Sequence, residues 1–166
     1  MTQLNLKSLE PKIVILPEIK LVAKSMPMSF SQDKTHALWQ GFSPLIKDIP
    51  RKLGKDKYSI QIFPDTDFFK NFNPTSMFKK YAAVNVSEYG ALPDGLEKLI
   101  IPEGQYALFD YIGKPSAASE TFRYILCQWV PNSKYSLDDR AHIAKMGGKY
   151  KGEQPDSEEA LLIPIS

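Results

Sequence analysis

The sequence has one cysteine, Cys127, and two histidines, His36 and His142, among 166 residues. A single thiol excludes an intrachain disulfide and a zinc cage built from thiolates. The two histidines lie far apart in the sequence and match no common zinc motif. We therefore expect this protein to use no metal and no cofactor.

An excess of one charge and a long hydrophobic run are also missing. Lys and Arg number 21 against 19 Asp and Glu, a net charge of +2, whereas nucleic-acid binding needs cations clustered on one face. No stretch approaches the roughly 20 apolar residues of a membrane-spanning helix, and the first residues lack the apolar segment of a signal peptide. We expect a soluble, cytoplasmic protein with no membrane partner and no direct nucleic-acid partner.

What is present is a globular composition, 43% hydrophobic and 24% charged, at a length that suits one domain, 1–166. Apolar residues at helical spacing predict two helices, one carrying Trp39 and the other Trp129. This mixture predicts an α+β fold. Runs rich in β-branched or alternating residues predict strands at 12–26, 58–63, 81–86, 99–111, 141–146 and 158–165.

The order of these elements repeats within the chain. Ile15-Leu16-Pro17-Glu18 in the first half corresponds to Ile100-Ile101-Pro102-Glu103 in the second, and each is followed by a tryptophan-bearing helix and two strands. This order predicts tandem strand–helix–strand–strand repeats, about 11–88 and 96–166, that form one antiparallel sheet with both helices on one side. We expect a concave ligand groove between the repeats, on the face opposite the helices.

The second half contains a series of short segments in a recognisable order and spacing: Ile101-Pro102-Glu103-Gly104-Gln105-Tyr106-Ala107-Leu108-Phe109, Gly113, Trp129-Val130-Pro131-Asn132-Ser133, Ser157-Glu158-Glu159 and Ile163-Pro164-Ile165. In these segments the sequence resembles the GyrI-like family. The resemblance implies a groove between the repeats that binds bulky, often cationic, aromatic drugs. Members occur as effector domains of AraC- or MerR-type regulators and as stand-alone proteins, and we expect the stand-alone type here, without direct control of transcription.

Two departures from the family pattern bear on the ligand. Relatives usually carry a pocket glutamate at the position of Ala144, and an acid and an aromatic residue at Ala160 and Leu162. Residues two apart on a strand share a face, so Ala160 and Leu162 are expected to point the same way. The resemblance then implies an apolar groove without its acids, which suits a neutral hydrophobic ligand better than a cation and argues against catalysis.

Candidate ligand-binding residues come from the helices and strands of both repeats. The two tryptophans have two interpretations, ligand stacking or packing between helix and sheet. For the aromatic residues on strands, a role in ligand binding depends on whether the side chain points to the groove or to the other face of the sheet. Glu159 is the best substitute countercharge, although exposure is ordinary for a carboxylate at the start of a strand. The predicted set is Trp39, Tyr81, Tyr106, Phe109, Trp129, Ala144, Glu159 and Leu162.

Two further side chains with reactive groups are not expected to take part in catalysis. No nucleophile or orienting acid adjoins His142, which indicates a hydrogen-bonded or exposed histidine. Cys127 follows Leu126 in the second predicted helix, which indicates a small buried hydrophobic side chain.

Three functions fit these features. The first is a small-molecule-binding protein for a lipophilic drug or effector, favoured because no complete catalytic set is evident. The second is a hydrolase of cyclopropanoid-type toxic compounds, which the family resemblance implies and in which Glu159 would serve as the acid–base group. The third, a protein partner as in gyrase inhibition, is implied by the resemblance alone.

Overall fold

Residues 5–166 are described by a computed structural model, in which one antiparallel sheet organises the chain. The sheet and its two helical segments confirm the predicted α+β class. In chain order the strands are β1 (Lys12–Leu16), β2 (Ile19–Met28), β3 (Lys57–Ile62), β4 (Phe78–Asn85), β5 (Glu97–Ile101), β6 (Gly104–Ile112), β7 (His142–Met146) and β8 (Glu158–Pro164). They pair in the order β1-β6-β8-β7-β3-β4-β2-β5.

Two helical segments pack on one face of this sheet. The first starts as α1 (Thr35–Phe42) and continues as a 3₁₀ turn, Ser43–Asp48, because Pro44 has no N–H for an α-helical hydrogen bond. The second segment consists of a 3₁₀ turn (Pro115–Ala117), α2 (Ala118–Tyr124), a π-helical stretch (Ile125–Trp129) and α3 (Val130–Asn132). None of the helices in residues 5–166 has the length and apolar content to cross a membrane.

The two repeats exchange their first strands. Each long strand predicted from the sequence is split at a proline, Pro17 or Pro102, because proline cannot donate to a β-ladder. The short strand before Pro17, β1, pairs with β6 of the second repeat, and β5 pairs with β2 of the first. The strand order therefore reads the same from both edges when the repeats are interchanged, so the sheet has a pseudo-two-fold axis at the β3–β7 ladder.

Both faces of the sheet are packed. The cluster on the helix face combines strand residues such as Val22 and Phe109 with Phe42 and Ile125 from the helical segments. The other cluster, which includes Leu21, Ile60 and Tyr106, comes from the strands and from Ala141 just before β7. Those strand residues are fully buried, so the sheet curls and its edge strands close over them. The prediction of a groove on this face is wrong, because curling turns it into a second core.

The segment between β3 and β4 is a loop rich in phenylalanine, as predicted. Its rings pack edge-on and tilted against each other and against Phe30. The clustered rings are Phe30, Phe63, Phe68, Phe69, Phe72 and Phe78.

Cys127 is exposed, with Sγ 3.5 Å from the carbonyl of Phe69, and the prediction of burial is wrong. The π-helical stretch changes the turn angle, so a residue within it does not face as a 3.6-residue period predicts.

The packing of the helix-free face can be tested with one matched pair of substitutions. Ile60 is fully buried in the curled face, whereas Ile15 on the edge strand is 71% exposed. Ile60→Ala is expected to lower the free energy of unfolding by about 2–5 kcal/mol, and Ile15→Ala by less than about 1 kcal/mol. Chemical denaturation measures both values. Equal, small losses would show that the second core is not closed.

Candidate ligand-binding site

A cavity of about 560 Å³ lies on the helix face of the sheet, between the two helical segments. Its floor is the β3–β7 ladder, where Ser59 pairs with Ala144 at the centre. Because β3 belongs to the first repeat and β7 to the second, the cavity lies between the repeats, as predicted for the groove. Trp39 on α1 and Phe122 on α2 form opposite walls.

The floor of this cavity is polar, because of the alternation along β3. Tyr58 and Ile60 point into the curled face, so Lys57, Ser59 and Gln61 between them face the cavity. Alternation of this kind ordinarily places the polar residues in water. Here Ser59 and Gln61 are half-buried, while Lys57 stays exposed at the rim. The cavity is otherwise lined mainly by apolar surface, but it keeps one acid, Glu159, so the expected loss of its acids is wrong.

Lys80 on β4 and Glu159 on β8 face the cavity from either side of this floor. Burial raises the pKa of Glu159 to about 7, the nearby cation of Lys80 opposes that rise, and Glu153 adds to it. Burial also lowers the pKa of Lys80, against the pull of Asp33 and Glu159. No hydrogen bond or direct ion pair joins Lys80 to Glu159 within residues 5–166. Two half-buried charged side chains therefore share the cavity without touching.

The ammonium of Lys80 is held by a short relay of hydrogen bonds. Its Nζ donates to Oγ1 of Thr35 over 2.9 Å, and that hydroxyl donates to Oδ1 of Asp33 over 2.5 Å. The same Asp33 oxygen accepts the N–H of Thr35. The start of α1 thus fixes the position of the lysine side chain that reaches the cavity.

His142 lies at the end of the same floor and is buried. Its ring meets the ring of Phe63 edge-on, with 4.9 Å between centroids. Burial lowers its pKa to about 3, so the imidazole is neutral. Its Nδ1 has no partner among residues 5–166, which corrects the expectation of a hydrogen-bonded or exposed histidine.

The structure brings three of the eight predicted residues to the cavity: Trp39, Ala144 and Glu159. Phe109 and Trp129 pack against each other on the helix face, with ring centroids 5.4 Å apart, and do not line it. The remaining three belong to the cluster in the curled face: Tyr81, Tyr106 and Leu162.

The facing of β8 explains why an acid remains in the cavity. Glu159 shares a face with Leu161 and Ile163, which pack under the helices, while Ala160 and Leu162 alternate to the other side. The expected loss of an acid at Ala160 and of an aromatic residue at Leu162 therefore concerns the face away from the cavity. Sequence reasoning also missed Lys80 and His142, although the polar alternation at 57–61 was a usable signal for a polar floor.

Comparison with known proteins agrees with this arrangement. The family model of the GyrI-like small molecule binding domain matches residues 9–159. No curated protein matches the sequence.

Solved structures show a similar fold at low sequence identity. EcmrR in a complex with DNA gives a TM-score of 0.71 at 15% identity over 95% of this chain, which spans 57% of the EcmrR chain. SAV2435 bound to tetraphenylphosphonium gives a TM-score of 0.69 at 14% sequence identity, and the match covers 95% of this chain and 94% of SAV2435. A hydrolase from Listeria innocua gives a TM-score of 0.57 at 11% sequence identity, and the match covers 95% of this chain and 92% of the hydrolase.

The buried carboxyl of Glu159 should make stability depend on pH in a defined direction. Its pKa in the folded chain lies above its ordinary value, so its contribution to stability is full below about pH 4.5 and is lost as the pH rises through about 7. Glu159→Gln removes this loss. We expect the variant to match the wild type near pH 4 and to exceed it at pH 8 by about 3 kcal/mol in free energy of unfolding.

Urea denaturation across this pH range measures the difference. Glu158→Gln is the matched control, because Glu158 lies next along β8 and pairs with Lys7 at the surface. The control should show no gain at pH 8. A constant difference between Glu159→Gln and wild type at every pH would contradict the burial of the charge.

Proposed function

Because this chain belongs to the family of GyrI-like small molecule binding domains, we propose that it binds a lipophilic small molecule in the cavity between α1 and α2. The cavity of about 560 Å³ carries this proposal, since ligand pockets usually measure about 300–1,000 Å³. Its walls offer Trp39 and Phe122 for apolar contact. Its floor adds Met146 and the polar groups that fix orientation.

The related structures support a bulky, aromatic occupant. SAV2435 was solved with tetraphenylphosphonium, a cation surrounded by aromatic rings. Trp39 and Phe122 provide aromatic surface on both walls of the cavity in this chain, and aromatic side chains bind rings by offset or edge-to-face contact. We infer a drug- or effector-sized ligand that spans the space between the repeats.

A second candidate function is hydrolysis of a cyclopropanoid compound. The observation that favours it is Glu159, whose pKa of about 7 suits proton transfer near neutral pH. In such a reaction the carboxylate takes a proton from water and the hydroxide oxygen bonds to a ring carbon. The strained carbon–carbon bond at that carbon breaks, and the other carbon, which keeps the electron pair, takes the proton back from Glu159. The similar fold of a hydrolase from Listeria innocua is a second support.

Filling the cavity should weaken binding. Ala144 lies at the centre of the floor, so Ala144→Phe places a ring where the ligand would lie. We expect the dissociation constant for N-phenyl-1-naphthylamine, a neutral dye that fluoresces in apolar sites, to rise at least tenfold. A loss of about 1.4 kcal/mol in binding free energy already accounts for that factor.

The control for this experiment is Ala91→Phe, which adds the same ring on an exposed loop. Circular dichroism establishes that both variants keep the fold. The control should bind the dye like wild type. Unchanged dye binding by a folded Ala144→Phe variant would place the ligand elsewhere.

The hydrolytic candidate has its own test. Product formation from a cyclopropane-bearing alkylating compound, followed by mass spectrometry, should fall by at least about 100-fold in Glu159→Gln, the usual scale of general acid–base catalysis. Dye binding should persist in the same variant. Stoichiometric binding of the compound without product in the wild type would leave only the binding function.

A further inference from the structure

Only Lys80 and Glu159 place charged groups in the interior of the cavity without a direct charged partner in residues 5–166. The other charged side chains at the cavity are at its rim. Asp33 accepts hydrogen bonds from Thr35, and Glu153 accepts the N–H and hydroxyl of Ser116 at 3.0 and 2.6 Å. Lys57 is exposed. The interior therefore presents one cation and one anion that water or a ligand must satisfy.

The positions of these two groups define the space between them. Their strands, β4 and β8, are separated in the sheet by β3 and β7. Lys80 pairs with Gln61 at one end of the β3–β7 ladder, whereas Glu159 lies one residue beyond Ala160, at the other end. The two side chains therefore approach the floor diagonally, from backbones roughly 19 Å apart at the usual strand spacing and rise per residue. Long side chains reach in from both sides over the floor at Ser59 and Ala144. A molecule that lies on this floor meets an ammonium on one side and a carboxylate on the other.

Charge on the ligand is unfavourable in such a site. A cationic head gains from Glu159 but is repelled by Lys80, and an anionic head has the reverse balance; both also lose hydration on entry. An uncharged head that has both an acceptor and a donor satisfies the two groups at once, and hydrogen bonds to charged groups contribute more than neutral ones.

We propose that the ligand of this cavity is an uncharged lipophilic molecule whose polar head accepts a hydrogen bond from Lys80 and donates one to Glu159, as a primary amide does. This inference rests on the proposed function and names the ligand class of the same site. The neutral His142 adjoins the floor without adding charge.

Three nearly isosteric probes separate the possibilities. Naphthalene-2-carboxamide, naphthalene-2-carboxylate and naphthalene-2-carboxamidine share one ring system and one planar head, and are neutral, anionic and cationic. Isothermal titration at pH 8, where Glu159 is ionised, gives their dissociation constants. We expect wild type to bind the carboxamide at least fivefold more tightly than either charged probe.

Two variants should redirect this preference in opposite directions. Lys80→Met leaves the anion of Glu159, so the carboxamidine should become the tightest probe. Glu159→Gln leaves the cation of Lys80, so the carboxylate should become the tightest. Lys79→Met and Glu158→Gln are matched controls on the same strands with exposed or surface-paired side chains, and they should keep the wild-type order.

Other outcomes overturn the inference. If wild type binds the carboxamidine or the carboxylate most tightly, one charged group acts alone. Equal affinity for the three probes, unchanged in both variants, means that the polar head is not recognised. If the probes fail to bind while N-phenyl-1-naphthylamine binds and Ala144→Phe blocks it, this inference fails and the proposed function stands. Failure of the dye as well would overturn the proposed function itself.

Discussion

The β3–β7 ladder is the interaction on which the rest of the structure depends. Five residue pairs, from Lys57 with Met146 to Gln61 with His142, are what join the two halves of the sheet. One side of the ladder places Ile60 beside Ile143 in the curled core, and the other places Ser59 beside Ala144 under the cavity. Because side chains alternate along a strand, a slip of one residue would exchange the core and the floor.

The ladder also explains why the fold could be predicted and most of the site could not. Proline spacing, helical periodicity and the repeated Ile-x-Pro-Glu segment depend on local chemistry, and they predicted the α+β class and the repeated order of elements. The short segments of the second half carried the resemblance to the GyrI-like family. The fold class and the family are confirmed. The curl of the sheet is a property of the whole assembly. It decided that Tyr81, Tyr106 and Leu162 enter a second core, and no local pattern in those strands indicates it.

The charges of the cavity follow from the same geometry. The sequence predicts that the polar face of β3 is exposed to solvent, yet Ser59 and Gln61 on it are half-buried between the two helical segments. Burial of this kind raises the cost of a charge near the floor. Lys80 is positioned by Thr35 and Asp33 at the start of α1, and Glu159 by the alternation of β8. Both charged groups thus reach the floor around Ala144 from the neighbouring strands.

The exchange of first strands has a consequence for how the chain folds during its synthesis on the ribosome. Lys12 at the start of β1 pairs with Leu108, so β1 has no partner until almost two thirds of the chain has been synthesised. The edge of β2 that β5 covers is likewise open until Ile101 has emerged. Native pairings of such long sequence separation form slowly and expose strand edges meanwhile. Neither repeat can finish its sheet during translation without the other.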